Sequence, residues 1–199
     1  MRPMDESLPH ESVLHLMKLR KRNNTSDESL IAAFESLFHE NWAPVYRLLL
    51  RMVIDPSEAE DLALETFLRL YKHHPAPEAE FNTRGWLHRV ATNLALQSIR
   101  SFKRREYYEI NAGRDALEKA SRNHPPEILD EQEDRRFVRQ VLAKMNPRQA
   151  ELLVLRHTGL AYKEIAEALN LAPTSIGPLL LRAEHEFEKQ YRALAEEQL

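Results

Sequence analysis

Charged side chains of one sign cluster in two neighbouring stretches of this 199-residue chain. Residues 84–105 include six basic and no acidic residues, and residues 55–65 include five acidic and no basic ones. The basic stretch is typical of segments that neutralise nucleic-acid phosphates, and a solvated basic face with Trp86 in the core is the alternative. The acidic stretch favours protein docking over metal binding, because a helix spreads its carboxylates instead of converging them.

The side chains needed for covalent chemistry are missing or scattered. There are no cysteines, the 9 histidines lack the spacing of a helical metal site, and the 4 glycines are too far apart to form a phosphate loop. We therefore expect no enzyme, no cofactor and no metal. The net charge of −3 by itself argues weakly against a nucleic-acid binder.

The elements that position these residues are predicted to be helices. Glycines are few and no Asn-Gly or Asp-Gly pair occurs, so the residues that tight β-hairpin turns favour are scarce. The sequence therefore predicts an all-α fold. Apolar residues recur with helical spacing over 30–52, 59–70 and 86–94. Asp55-Pro56 predicts the start of the second helix, and Pro44 predicts a bend in the first.

The second folded unit is predicted to contain a helix-turn-helix. Asn146-Pro147 and Gly159 delimit one helix, and further helices are expected over 162–169 and roughly 174–194. The short turn between the last two, and the small Ala166 at their crossing, suit a helix that enters a major groove. An ordinary pair of packed helices is the alternative.

Two segments lie outside these units. Residues 106–130 are predicted to be an acidic linker, because the apolar period fades there and Pro125-Pro126 interrupts regular structure. Residues 1–27 form an N-terminal extension, for which a short basic amphipathic helix and a disordered tail fit equally well.

Three stretches resemble motifs of the extracytoplasmic-function (ECF) sigma factors, small bacterial subunits that give RNA polymerase its promoter specificity. Residues 59–70 (AEDLALETFLRL) resemble the polymerase-docking helix, although Leu64 replaces the usual Gln. Residues 85–95 (GWLHRVATNLA) resemble the start of the promoter-melting helix, and residues 162–169 (YKEIAEAL) the first helix of the C-terminal reader. The resemblance implies sigma domain two at 28–105 and sigma domain four at 131–199.

The resemblance also implies partners and contact residues. Core RNA polymerase and promoter DNA are the expected partners, an anti-sigma factor is a further one that the family admits, and the loop 74–83 would receive a base flipped from the minus-ten element. The implied polymerase contacts are Asp61, Leu62, Glu65, Phe67 and Leu70, and a place in the core is the alternative for Leu62 and Leu70. The implied DNA contacts are Arg84, Trp86, Arg89, Asn93, Gln97, Arg100, Lys103, Thr174, Ser175, Arg182 and His185.

The reader departs from the family pattern. Ala161 stands where a Ser cap is usual, and Gly177, Pro178 and Leu179 stand where small polar or basic contacts are expected. We expect Pro178 within about the first turn of its helix, because a proline deeper in a helix costs about 3 kcal/mol. Direct readout of the minus-thirty-five element is therefore the open part of the interpretation.

Two other functions remain open on the sequence. One is a helix-turn-helix regulator that binds an operator as a dimer, and the other is a sigma-like interaction module whose C-terminal unit does not read DNA. The N-terminus lacks the apolar stretch of a secretion signal, and no apolar run is long enough to cross a bilayer. We therefore expect a cytoplasmic protein with no membrane insertion.

Overall fold

The computed structural model describes residues 25–73, 81–111 and 126–197, with side chains for 31–73, 81–105 and 133–197. Predictions for the N-terminal extension, most of the loop 74–83 and the middle of the linker lie outside the described residues. Within the described ranges all regular structure is α-helical, which confirms the predicted fold class. The helices are α1 (Thr25–Val53), α2 (Pro56–His73), α3 (Thr83–Asn111), α4 (Pro126–Lys144), α5 (Pro147–His157), α6 (Tyr162–Leu169) and α7 (Pro173–Glu197).

The first unit is a bundle of α1, α2 and α3, each of which packs against the other two. Aromatic rings join α1 to α2, with the Phe38 and Phe67 ring centroids 4.6 Å apart and both side chains fully buried. Leu87 and Ala91 close this core from α3. The inward faces of the three helices are those that the apolar spacing predicts.

The turn from α1 to α2 is built as the sequence indicates. Asp55 Oδ1 accepts hydrogen bonds from the backbone N–H groups of Ser57 (2.8 Å) and Glu58 (3.2 Å), which satisfies donors at the helix start. Pro56 is the first helical residue, where its missing N–H costs nothing. Ile54 takes a left-handed φ of 71°, which reverses the chain between the two helices.

The second unit consists of α4 to α7. Asn146 caps α5 by accepting a 3.0 Å bond from the Arg148 N–H, and Gly159 follows the end of α5 at a φ of 80°. Ala161 gives α6 no side-chain cap, as expected, but its own N–H donates to Glu164 Oε2 at 2.7 Å. Half of a capping box therefore remains.

Two predictions about proline need correction. Pro126 does not interrupt regular structure but begins α4, because a proline at the first helical position gives up no intrahelical bond. Because α3 runs on to Asn111, helical residues also occupy both ends of the predicted linker. Pro178 lies in the second turn of α7, which begins at Pro173, and not within the first turn.

Candidate polymerase and nucleic-acid interfaces

The acidic stretch lies mostly on α2, where part of it is open to solvent. Asp61 is exposed, and half-buried Glu65 forms an ion pair with Arg69 one turn later, with 2.8 Å between Oε1 and Nε. Glu58 is turned the other way and accepts a hydrogen bond from Ser98 of α3. The exposed carboxylates of α2 thus leave one face available to a partner.

The apolar residues proposed as polymerase contacts do not share that face. Phe67 and Leu70 are fully buried in the core of the first unit, and Leu62 is half-buried against it. The assignment of Phe67 and Leu70 as direct contacts is corrected here, because a side chain with no accessible surface supports the helix and cannot touch a partner. The apolar spacing of α2 had placed both residues on its inward face, and only the family resemblance assigned them to the polymerase.

The basic residues of α3 are placed unevenly. Arg84 and Gln97 are exposed, and Lys103 is half-buried. Arg100 is half-buried, its pKa is lowered by loss of hydration, and its buried Nη2 has no hydrogen-bond partner among the described residues. Arg104 and Arg105 are exposed and extend the positive surface beyond the predicted contacts.

The Asn82 side chain caps the start of α3 through its oxygen, and its nitrogen is left to donate elsewhere. Its Oδ1 accepts a 2.8 Å bond from the Gly85 N–H, which caps the helix. A Cβ at Gly85 would approach Asn82 Nδ2 to 2.5 Å, so a side chain at this position would displace the capping Asn82. Beside the cap, Trp86 is half-buried against the core, 6.4 Å from the Phe81 ring centroid. Trp86 therefore packs against the core, and the rest of its surface is exposed at the start of the basic helix α3.

Two predicted DNA contacts of α3 are already engaged by the second unit. Arg89 Nη1 donates to the Ala168 carbonyl of α6 at 2.8 Å, and its Nε lies 3.7 Å from Glu151 Oε1 of α5. Asn93 Nδ2 donates to the same Glu151 oxygen at 2.8 Å. Asn82 Nδ2 adds bonds to the Glu164 carbonyl (3.1 Å) and to Glu167 Oε2 (3.2 Å). The described contacts between the units thus centre on α3.

Burial at this junction changes two titrations. Glu151 is buried, and the loss of hydration raises the pKa of its carboxyl despite the Asn93 hydrogen bond and the Arg89 charge, which act the other way. His88 is buried one turn before Thr92 of α3, and its ring is 2.8 Å from the Arg84 carbonyl. Burial lowers the pKa of His88 more than that hydrogen bond raises it.

A cavity of about 740 Å³ lies between the units and is lined by residues of both. Apolar side chains from both units form part of its wall, including Leu48 and Met52 of α1 and Val138 and Leu142 of α4. Basic side chains also reach the cavity. They are Arg47, Arg51, Arg84, Arg135 and Arg139.

The reader residues lie on the outer side of the second unit. Thr174, Arg182 and His185 of α7 are exposed, and Ser175 is half-buried. Ile176 and Leu180 are buried beneath them and hold α7 against α6. The four predicted contacts therefore sit on one helix whose opposite face is core.

The sequence reading missed Asn82 and Glu151. Asn82 directly precedes the helix that starts at Thr83, a position where Asn is a common N-cap. Its role as a cap could therefore have been predicted from the sequence. Glu151 is the one acidic residue within the apolar run 150–155, and a charge among core residues requires a partner. The identity of that partner, 58 residues earlier in the chain, had no signal.

Comparisons with known proteins match both units. Residues 37–106 match the family described as Sigma-70 region 2, and residues 136–184 match Sigma-70, region 4. The chain belongs to the ECF sigma factor family. This sigma factor binds core RNA polymerase and promoter DNA and directs promoter-specific initiation of transcription.

Relatives extend the match over most of the chain. The ECF RNA polymerase sigma factor SigW of Bacillus subtilis is 28% identical over 90% of this chain and 98% of its own length. RNA polymerase sigma factor YlaC of the same organism is 25% identical over 83% of this chain and 96% of its own. A solved structure of the sigma factor RpoE with the anti-sigma factor NepR from Bartonella quintana aligns with a TM-score of 0.47 at 18% identity, covering 80% and 96% of the two chains.

In the part of the chain that the structure describes, no group of three or more His, Asp or Glu side chains could hold a metal ion. Over the same residues, no helix is long and apolar enough to span a membrane.

Proposed function

We propose that the two folded units divide the work of this sigma factor. In the proposal residues 28–105 act as domain two, residues 106–130 as the connection, residues 131–199 as domain four, and residues 1–27 as an extension. The separate family matches at 37–106 and 136–184 support this division. The protein performs no covalent chemistry itself and acts in the cytoplasm, where the polymerase is.

Domain two docks on the polymerase through the outer face of α2. Exposed Asp61, half-buried Glu65 and the accessible edge of Leu62 form this docking face. The observation that carries the proposal is the segregation of charge, with carboxylates on the exposed side of α2 and basic side chains on α3. Opposite signs on separate helices allow one unit to bind a protein and a nucleic acid at once.

DNA is held by α3 and by the reader. Arg84, Arg89, Arg100 and Lys103 neutralise phosphates of the melted minus-ten region, with Asn93 and Gln97 as polar contacts and Trp86 beside them. In domain four the outer face of α7 meets the upstream duplex through Thr174, Ser175, Arg182 and His185. An anti-sigma factor is a further proposed partner, as NepR is for the structurally aligned RpoE.

Charge reversal on the docking face tests the polymerase assignment. Asp61→Arg with Glu65→Arg should weaken co-purification with core polymerase by about tenfold or more and reduce run-off transcription, because like charges then face the partner. Glu40→Arg with Glu188→Arg changes the net charge equally at exposed sites elsewhere and should leave binding near the wild-type level. Undiminished polymerase binding by the first variant would remove α2 from the interface.

A further inference from the structure

The cavity between the units has an apolar wall that belongs to both cores. Its lining includes Leu48 and Met52 of α1, Leu142 of α4, and Leu153 and Val154 of α5. Each of these five core residues keeps 6 to 9% of its surface accessible. Apolar surface that the two cores leave uncovered therefore meets in one space, and a ligand that removes it from water gains hydrophobic free energy.

Positive charge is added to this apolar wall by arginines from three helices. They are Arg47 and Arg51 of α1, Arg84 of α3, and Arg135 and Arg139 of α4. Among the described lining residues, the carboxylates are those of Asp134 and Glu184. Because the guanidinium groups outnumber the carboxylates, the cavity attracts an anion.

Several of these arginines are not neutralised by the described part of the protein. No described carboxylate lies within ion-pair distance of Arg51 or Arg84. The Nε of Arg139 is buried and has no hydrogen-bond partner among the described residues. Loss of hydration lowers the pKa of Arg139 more than the charge of Glu58 raises it. An anionic oxygen in the cavity would supply the partner that these donors lack.

We propose that this cavity binds an amphiphilic carboxylate, a molecule with a long apolar chain and one anionic head, such as a long-chain fatty acid. The chain lies against the apolar wall and the carboxylate among the arginines. A volume of about 740 Å³ falls within the range of about 300–1,000 Å³ that sites for small organic ligands occupy. Apart from Arg84, the site uses none of the proposed polymerase or DNA contacts, so the inference goes beyond the proposed function.

The shape and composition of the cavity select this ligand over other anions. A small inorganic anion would leave the apolar wall uncovered, and a nucleic-acid strand would bring a charge to it at every nucleotide. A membrane surface cannot enter a space that α1, α3, α4, α5 and α7 bound together. A free molecule with one charged end satisfies both parts of the lining.

Calorimetric titration of the whole chain with sodium dodecanoate, kept below the concentration at which it forms micelles, tests the site. One saturable site per chain is expected. Arg47→Glu with Arg51→Glu should weaken binding by about tenfold or more, because like charges then face the carboxylate. Lys163→Glu with Arg182→Glu changes the net charge equally at exposed positions outside the lining and should bind within about twofold of the wild type.

Two further ligands separate the contributions of the chain and the head. Octanoate, which is four methylene groups shorter, should bind at least about tenfold more weakly than dodecanoate. Dodecyltrimethylammonium has the same chain with a positive head and should also bind at least about tenfold more weakly. Equal affinity for all three would mean nonspecific adsorption to apolar surface and would overturn the proposal.

Val138→Asp is a second variant that acts on the wall itself. Val138 is 38% exposed and lines the cavity from α4, so an Asp is tolerated there but adds a carboxylate beside the chain. It should weaken dodecanoate binding by about tenfold and decides the question if the arginine variant fails to fold by circular dichroism. Undiminished binding by both variants would place the ligand elsewhere and refute the site.

Vesicles of phosphatidylglycerol distinguish a free ligand from a membrane surface. The protein should not sediment with them. Sedimentation that Arg47→Glu with Arg51→Glu abolishes, without binding of free dodecanoate, would assign these arginines to a lipid surface and overturn the proposal. Polymerase binding and run-off transcription are measured without dodecanoate, so their failure concerns the proposed function alone.

Discussion

At the scale of single residues, His88 is a titratable ring that the fold keeps neutral. Burial lowers its pKa from the ordinary 6.5, whereas in the unfolded chain the ring takes up a proton as the pH falls below that value. The unfolded state then binds more protons than the folded state. The stabilisation that the neutral ring gives to the folded protein is therefore complete above pH 6.5 and is lost as the pH falls towards the folded pKa. We expect the free energy of unfolding to fall between pH 7.5 and pH 5.5, by at most about 1.4 kcal/mol per pH unit from this group.

Urea unfolding of the wild type and His88→Gln at pH 7.5, 6.5 and 5.5 measures this contribution. The variant should lose less stability on acidification, and the exposed His185→Gln should behave as the wild type does. Glu151, whose raised pKa acts in the opposite direction, is present in every chain and cancels in the difference. Parallel pH profiles for the wild type and His88→Gln would mean that folding does not lower the pKa of this ring.

Residues that act on their own neighbours could be predicted, and residues that act across the fold could not. Asp55 and Asn146 are followed by a proline at the first helical position, and both caps form as expected. The pairing of Asn93 with Glu151 had no such signal, because contacts between distant polar residues follow no period along the chain. The family resemblance placed Phe67 and Leu70 on a binding face, whereas the local apolar spacing had correctly placed them in the core.

At the scale of the element, Pro178 weakens α7. It lies in the second turn, where a residue with an N–H would bond to the carbonyl of Thr174. Pro178→Ala should raise the free energy of unfolding by about 1–2 kcal/mol, since the regained bond and the removed clash exceed the added entropy of the unfolded chain. Urea denaturation followed by circular dichroism gives this difference.

Pro173→Ala is the matched control, because Pro173 is the first residue of the same helix and its missing N–H has no intrahelical partner. Pro173→Ala should leave the free energy of unfolding unchanged or lower it slightly. If Pro178→Ala is no more stable than the wild type, the helix accommodates the proline without the expected cost. Helix positions and the Gly159 terminus were readable from apolar spacing and glycine chemistry. The start of α7 was predicted within one residue, and that start already puts Pro178 beyond the first turn, so the expectation for Pro178 rested only on the cost of a proline inside a helix.

At the scale of the whole molecule, the net charge of −3 conceals the division of the surface. Acidic residues are concentrated on α2 and basic residues on α3. Their charges nearly cancel in the net charge, which therefore does not argue against nucleic-acid binding. The same α3 connects the units, because α4, α5 and α6 all pack against it. One helix therefore carries a proposed ligand surface and joins the two cores.

This shared helix predicts that the two units unfold together. Both tryptophans, Trp42 and Trp86, belong to the first unit, so their fluorescence reports that unit, whereas far-ultraviolet circular dichroism reports all the helices. We expect the two probes to give the same urea midpoint in the wild type, because the Glu151 contacts and the apolar cluster that spans both units act together to join them. The control Glu197→Ala breaks only an ion pair with Lys144 inside the second unit and should give the same result. In Glu151→Ala the midpoints should separate as the units uncouple. Separate midpoints in the wild type would show that the junction contributes little to stability, and coincident midpoints in Glu151→Ala would show that apolar contacts couple the units without Glu151.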